Sequence, residues 1–226
     1  MEINYMKQLN TIWQPHMGFN SFNRLDSLIV RKCNKLVTIF PNHIEKGFES
    51  LQSLVITDCT SVETIFDFGN IPQTYGRSEL NLHDVFLKGL PKLVHIWKLD
   101  TDEILNINNL QSIVVHKCKM LEYLFPLSVA SGLEKLETLD VSNCWEMKEV
   151  VAWNSRSNEE DVTIRFPQLN TLSLQHLFEL RNFYPGTHSL EWPLLRKFSL
   201  LVCSNLEETT NSQMNPILLA TEKVRK

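Results

Sequence analysis

The sequence LDSLIVRKCNKL, residues 25–36, returns in outline as LQSIVVHKCKML at residues 110–121. The first segment follows the pattern L-x-x-L-x-[LIV]-x-x-C-x-x-L, and the second differs from it only in Ile113 at the fourth position. Five more segments match it or a close variant, beginning at Leu51, Leu82, Leu136, Leu169 and Leu195. The first leucines of successive copies are 26, 31, 28, 26, 33 and 26 residues apart. Self-similarity at a period of this size is the sequence signature of a repeat architecture, in which neighbouring units stack to share one continuous core.

The pattern also predicts the conformation of each copy. Leu28 and Val30 alternate with residues that face the other way, and a period of two indicates a short strand with one buried face. Strands repeated in this way stack as a parallel sheet along a concave wall, and the chain returns along the convex side. We therefore predict an α/β-type horseshoe, a leucine-rich-repeat solenoid. Short parallel strands would line its concave face, with loops and short helices on its convex face.

We assign the solenoid to residues 21–208, with about seven repeats and loop-like insertions at 67–81 and 152–165. Residues 1–20 carry Leu9 and Trp13, which match the tail of a copy, so we expect a remnant of a preceding repeat whose strand is missing. Residues 209–226 read as a C-terminal tail, and residues 126–133 as a short convex helix after a proline. Bulky side chains four residues after the last repeat leucine predict a convex core. They are Phe40, Phe66, Trp97, Phe125, Val151 and Tyr184.

Composition narrows the class of partner. The chain has 226 residues, 43% of them hydrophobic and 21% charged, with a net charge of −4. Nothing in this balance favours nucleic acid or an anionic membrane. The sequence lacks an apolar run of membrane-spanning length, a signal-peptide pattern at its start and any N-x-[ST] acceptor site. We expect a cytoplasmic or nucleo-cytoplasmic protein.

All five cysteines fall at one position of the repeat, in the turn after the strand. Their spacing matches no zinc pattern, and an odd number in an intracellular chain argues against disulfides, although neighbours such as Cys33 and Cys59 would be close enough to be crosslinked. We interpret them as a structural ladder of buried thiols facing backbone carbonyls. The ladder consists of Cys33, Cys59, Cys118, Cys144 and Cys203.

The sequence contains little that indicates catalysis or cofactor binding. The chain has no phosphate-binding loop of the G-x-x-x-x-G-K-[ST] kind, no H-E-x-x-H and no G-x-S-x-G. His116 is the histidine that stands beside a thiol, yet the repeat buries that sulfur, so a nucleophilic pair is not expected. We predict a protein that is not an enzyme, has no catalytic or metal-binding residues and uses no cofactor.

The residues of the concave strands that face solvent offer a better candidate. They form columns across the repeats. The second column begins with four apolar residues, continues with Asp140 and Ser173, and is predicted to end at Leu201. An apolar strip rimmed by Arg31, Lys32, Lys88 and Lys117 is typical of a protein-contact surface, although parallel strands favour β-branched residues anyway. The candidate contact residues are Ile29, Arg31, Val55, Phe86, Lys88, Val114 and His116.

The wording of the repeats narrows the family. Cys33–Pro41 and Cys118–Pro126 both read C-x-x-L-x-x-[LI]-F-P, and residues 124–151 read LFPLSVASGLEKLETLDVSNCWEMKEVV. These segments resemble the C-terminal repeats of plant intracellular disease-resistance proteins of the coiled-coil, nucleotide-binding, leucine-rich-repeat class, over about residues 9–208. The resemblance implies innate immunity. The repeats would bind a pathogen effector or a guarded host protein and would restrain an upstream nucleotide-binding switch domain in the same polypeptide.

The coiled coil and the nucleotide-binding switch of that class are absent from this sequence, so we expect a fragment of a larger receptor or a free-standing repeat protein that acts as a decoy or inhibitor. The substrate-binding arm of an ubiquitin-ligase adaptor is a second interpretation, because such adaptors also carry cysteine-containing leucine-rich repeats. A cell-surface ectodomain is disfavoured by the missing signal and acceptor sites. Each interpretation assigns the chain to protein binding.

Overall fold

The concave wall of the protein is a single parallel sheet of eight short strands. The computed structural model describes residues 1–14, 22–42, 48–69, 80–99, 105–152, 164–185 and 190–206. In the order in which they lie side by side, the strands are β1 (Glu2–Asn4), β2 (Ser27–Arg31), β4 (Ser53–Thr57), β6 (Asp84–Lys88), β8 (Ser112–His116), β10 (Thr138–Ser142), β13 (Thr171–Gln175) and β15 (Lys197–Leu201). We call the repeat units that contain these strands coils 1 to 8. The predicted concave sheet is confirmed.

The register of the sheet follows the repeat pattern. Leu28 of β2 pairs with Leu54 of β4, and the alternation of buried and half-buried residues is the same in both strands. One assignment was wrong. Ser173 pairs with Ser199, so Ser199 ends the second solvent-facing column, whereas Leu201 pairs with Gln175 in the third. The strand of the last repeat begins at Lys197, so Lys197, Ser199 and Leu201 are its members of the first, second and third columns.

The first coil corrects a second expectation. Glu2–Asn4 forms a strand that pairs in parallel with β2, placing Ile3 beside Val30, so coil 1 has the strand that the sequence analysis took to be missing. Met6 then stands where later coils place cysteine. The copy was hard to recognise because of this methionine at the position of the cysteine.

The convex side carries short strands, which the sequence analysis did not predict, beside the turns and helix that it did. The strands are β3 (Thr38–Phe40), β5 (Thr64–Asp67), β7 (His95–Lys98), β9 (Tyr123–Pro126), β11 (Glu149–Ala152), β12 (Ile164–Arg165) and β14 (Leu190–Glu191). They form the sheets β3-β5-β7, β9-β11 and β12-β14. A single turn of helix, α1 (Leu127–Ala130), follows Pro126 as predicted. Most of the two insertions and the C-terminal tail lie outside the described residues.

The predicted convex core is confirmed, since all six of its members are buried, and Phe40, Phe66 and Trp97 form a continuous stack within it. Phe40 and Phe66 lie face to face with ring centroids 4.7 Å apart, and Phe66 lies 5.1 Å from Trp97. Trp13 extends the stack at 5.6 Å from Phe40, and its indole N–H donates to the carbonyl of Ile39 at 2.6 Å. All four rings are at most 4% exposed. The stack therefore joins coils 1 to 4 along the side opposite the concave sheet.

Candidate protein-contact surface

A residue with a left-handed backbone conformation directly follows every concave strand. Its φ is positive in all eight coils, and the residues are Tyr5, Lys32, Asp58, Gly89, Lys117, Asn143, His176 and Val202. In coils 1 to 7 the N–H of this residue donates to the last carbonyl of the next strand, at 2.7–3.0 Å. In coils 2 to 7 the bend turns the following ladder residue into the core, and it sets the edge of the concave face. Sequence reasoning missed it, although glycine, asparagine and aspartate, the residue types that tolerate positive φ best, fill three of these positions.

The cysteine ladder lies directly behind that bend. Cys33, Cys59, Cys118 and Cys144 are fully buried, and Cys203 is half-buried. The Cys59 thiol donates to the carbonyl of Thr57 at 3.4 Å and accepts the N–H of Cys33 at 3.3 Å. Burial raises the pKa of Cys59 to about 11. A hydrogen bond with Cys144, and then burial, raise the pKa of Cys118 well above its ordinary value. These thiols are therefore protonated near neutral pH and poor nucleophiles.

The ladder is free of disulfides in this structure. Among the described residues, no group of three or more histidine, cysteine or acidic side chains could hold a metal ion. Each thiol instead contacts backbone of its own or the adjacent coil. The geometry gives the ladder a role in joining coils.

The apolar candidates of the second column lie side by side. The register places Ile29 next to Val55, Val55 next to Phe86, and Phe86 next to Val114, on strands β2, β4, β6 and β8. Each of the four side chains is partly exposed on the concave face. We call these four residues the apolar column. At the spacing of neighbouring strands, about 4.8 Å, the column is about 14 Å long.

Asp140 of β10 follows Val114 in register and ends the apolar column. The ring of His116 lies edge-on to Phe86, with centroids 6.1 Å apart. On its other side, His116 Nε2 is 3.3 Å from Asp140 Oδ2, within ion-pair distance but without a hydrogen bond between them. The candidate surface thus changes from apolar to acidic between coils 5 and 6.

The cationic candidates differ in their surroundings. Arg31 forms an ion pair with Glu2 of the neighbouring strand, so part of its charge is balanced within the protein. Among the described residues, Lys88 has no ion-pair partner, and its side chain is exposed. The two cations therefore offer different opportunities to a partner. Lys88 is the one whose charge is fully available beside Phe86.

A further exposed cluster was not predicted. Trp145 and Phe178 directly follow the ladder positions of coils 6 and 7, are 43% and 40% exposed, and have ring centroids 6.4 Å apart. Lys119, at the same position in coil 5, places its Nζ 4.3 Å from the centre of the Trp145 ring. The sequence does contain a signal for this cluster, which is the position of the two aromatics in the repeat. Large aromatics occupy a repeat position that in earlier coils holds lysine, asparagine, threonine or proline.

Stacked coils, a concave parallel sheet and a buried leucine and cysteine ladder define a leucine-rich-repeat solenoid, a protein-interaction fold. The sequence model of the family described as plant disease resistance protein RPS2-like, leucine-rich repeats, matches residues 1–145. The chain belongs to this family. No curated protein and no solved structure matched the chain. In the described residues, no helix has the length and apolar character that crossing a bilayer requires.

Proposed function

We propose that the concave face recognises a protein in plant defence, either a pathogen effector or a host protein that such effectors modify. The observation that carries the proposal is the apolar column. Four adjacent strands hold partly exposed apolar side chains where solvent-facing strand positions are ordinarily polar. A contiguous exposed apolar patch with a polar and charged rim is the composition of an interface core.

Phe86 is the strongest single element of this surface. The preference of parallel strands for β-branched side chains accounts for Ile29, Val55 and Val114 without any partner. Phe86 differs from these three in size, because it holds an aromatic ring partly exposed between two aliphatic neighbours. Because aromatic side chains dominate interface energetics, we assign Phe86 the role of anchor, with Lys88 and His116 beside it as orienting groups.

The proposal extends to the setting of the chain. Family membership supports a role in which the repeats also contact a nucleotide-binding switch domain of the same polypeptide. The free thiols of the ladder support a reducing, cytoplasmic or nucleo-cytoplasmic environment, where cysteines ordinarily stay unpaired. The ubiquitin-ligase adaptor and the decoy remain alternative uses of the same contact surface.

The test compares Phe86→Asp with Val37→Asp, which places the same charge at an exposed position on the opposite, convex side. The wild type and both variants are expressed with a tag in leaf tissue challenged with a pathogen. Co-purified proteins are then quantified by mass spectrometry. We expect a partner that the wild type and the Val37 variant retain and the Phe86 variant loses. The partner is then confirmed by binding of the two purified proteins.

A melting curve for each variant separates loss of contact from loss of fold. Truncating or charging a partly exposed position on the concave face is expected to change stability by about 1 kcal/mol or less. If every enriched partner binds the Phe86 variant as well as it binds the wild type, the apolar column is not the contact site.

A further inference from the structure

The left-handed residue of each coil and the two residues that follow its ladder position form a second surface, which we call the strand-end edge. In coils 1 to 5 this edge is strongly cationic. Its charged members there include one acid, Asp58, and the lysines Lys7, Lys32, Lys35, Lys92, Lys117 and Lys119. The chain as a whole carries a net charge of −4, so the lysines are concentrated here against the overall balance.

Most of this charge is free for a partner. Lys35 donates to Gln8 of the preceding coil at 2.5 Å, and Lys32 lies 5.2 Å from the centre of the Tyr5 ring. Within the described ranges, no carboxylate lies within ion-pair distance of Lys32, Lys92 or Lys117. All three side chains belong to exposed residues. A row of unpaired ammonium groups attracts an anionic ligand along its length.

The character of the edge changes at coil 6. Coils 6 and 7 carry no lysine or arginine there, and instead present Trp145 and Phe178. Each aromatic is followed directly by a glutamate, Glu146 or Glu179. The row of lysines therefore leads into an exposed aromatic pair, with Lys119 at the junction over the Trp145 ring.

We propose that the strand-end edge binds an extended acidic protein segment that ends in apolar residues. Its carboxylates would lie over the lysines of coils 2, 4 and 5, with an uncharged residue beside Asp58 of coil 3, and its apolar residues on Trp145 and Phe178. From coil 2 to coil 7 there are five steps of about 4.8 Å, or about 24 Å, which an extended chain covers with about seven residues. This surface is separate from the apolar column and does not depend on the function proposed for it.

Single-stranded nucleic acid is the competing ligand, because it also uses cationic rows and aromatic platforms. The glutamates disfavour it. Every nucleotide that stacked on Trp145 or Phe178 would carry a phosphate past Glu146 or Glu179, and like charges at short range repel. A peptide can confine its negative charge to the lysine half of the edge, so the segregated charge pattern fits a peptide better.

The experiment measures fluorescence anisotropy of a labelled seven-residue peptide, five alternating Glu and Asp residues followed by Leu-Phe, together with its reversed sequence. The full chain should bind one of the two orders with a dissociation constant below about 100 µM at 50 mM salt, and salt should weaken the binding. No saturable binding of either order up to about 1 mM overturns the proposal. Tighter binding of a labelled 12-nucleotide oligo-dT than of the peptide overturns it as well.

Variants assign the two halves of the edge. K32E/K92E/K117E should weaken peptide binding about tenfold or more, as reversal of three exposed ion pairs predicts. The matched control R24E/K135E/R196E makes the same charge change at exposed residues near the opposite ends of the strands and should stay within about twofold. Equal weakening by both triple variants would mean unspecific attraction and would overturn the proposal.

The aromatic half has its own readout. W145S/F178S should weaken binding of the peptide that contains Leu-Phe and leave binding of an all-acidic seven-residue peptide unchanged; equal effects on both peptides contradict the aromatic assignment. Phe86→Ala, which changes no charge, should leave binding of either peptide within about twofold, since Phe86 lies outside the edge. This last comparison separates a failure at the edge from a failure at the concave face.

Discussion

Truncation of Phe66 to alanine tests whether the convex aromatic stack holds the coils together. Phe66 is 2% exposed and stacks on Phe40 at 4.7 Å with an interplanar angle of 4°, and on Trp97 at 5.1 Å with an angle of 2°. Replacing a buried phenylalanine by alanine costs about 3–5 kcal/mol through lost transfer free energy and the cavity that remains. Each aromatic pair contributes about 0.5–1.5 kcal/mol beyond area burial, which places the expected loss at the upper end of the range for truncation, about 5 kcal/mol.

The matched control is Phe86→Ala. It removes the same atoms from a partly exposed position on the concave face, where its ring contact is an edge-on approach to His116 at 6.1 Å. We expect it to cost about 1 kcal/mol or less. The same substitution on opposite sides of neighbouring coils therefore separates the contribution of the stack from the general cost of losing a phenyl ring.

Urea unfolding followed by far-UV circular dichroism measures both losses. Because each coil contacts only its neighbours, the Phe66 variant should also lose hydrogen-exchange protection first in β3, β5 and β7. A loss below about 2 kcal/mol for Phe66, or equal losses for the two variants, would show that the stack is dispensable.

Three further predictions concern the bend and the ladder. Val202→Gly should raise the free energy of unfolding by about 0.5–1 kcal/mol, because it removes a β-branched residue from a positive φ. Gly89→Ala should lower the free energy of unfolding by about 1–2 kcal/mol, because it places a side chain at a positive φ. The opposite order in urea unfolding would refute the strain argument. In thiol titration of the native protein, half-buried Cys203 should react first and the four buried cysteines only after denaturation. Because folding raises the pKa of Cys59 from 9.0 to about 11, its stabilising contribution is complete below pH 9 and is lost as the pH rises through 11. The melting temperature should therefore fall between pH 9 and 11, and it should fall less steeply with pH in Cys59→Ala than in the wild type. An unchanged dependence on pH would exclude this linkage.

The concave sheet could be predicted because its determinants are local and repeated. Leu28 and Val30 alternate with solvent-facing residues, and the same alternation recurs in later copies, so one physical rule fixes many strands. The second column of coils 2 to 5 followed from the same rule, which is why Phe86 could be placed beside Val55 and Val114. The prediction of strand positions was wrong where a copy departs from the pattern, in the last strand at Ser199 and in the first strand, β1.

The remainder depends on contacts between coils. The residue type does not predict a positive φ at Lys117 or Val202, since neither lysine nor valine prefers that conformation. The bend forms because the N–H of the left-handed residue can reach the carbonyl of the next strand, or because the ladder residue must enter the core. The pairing of Arg31 with Glu2 required the strand that the sequence analysis had not recognised. Long-range stacking, rather than local preference, decides these features.

The solenoid separates the residues that hold it together from those that can contact a partner. Leu28 and Val30 are fully buried, whereas Ile29 between them contributes to the concave surface and can change without creating a cavity. The same holds at the strand-end edge, where exposed Trp145 directly follows buried Cys144. Because each strand alternates between the two roles, substitutions at surface positions alter recognition while the stack beneath them keeps its stability. Large apolar side chains that the fold leaves partly exposed, such as Trp145 and Phe178, are therefore the ones whose presence calls for a partner.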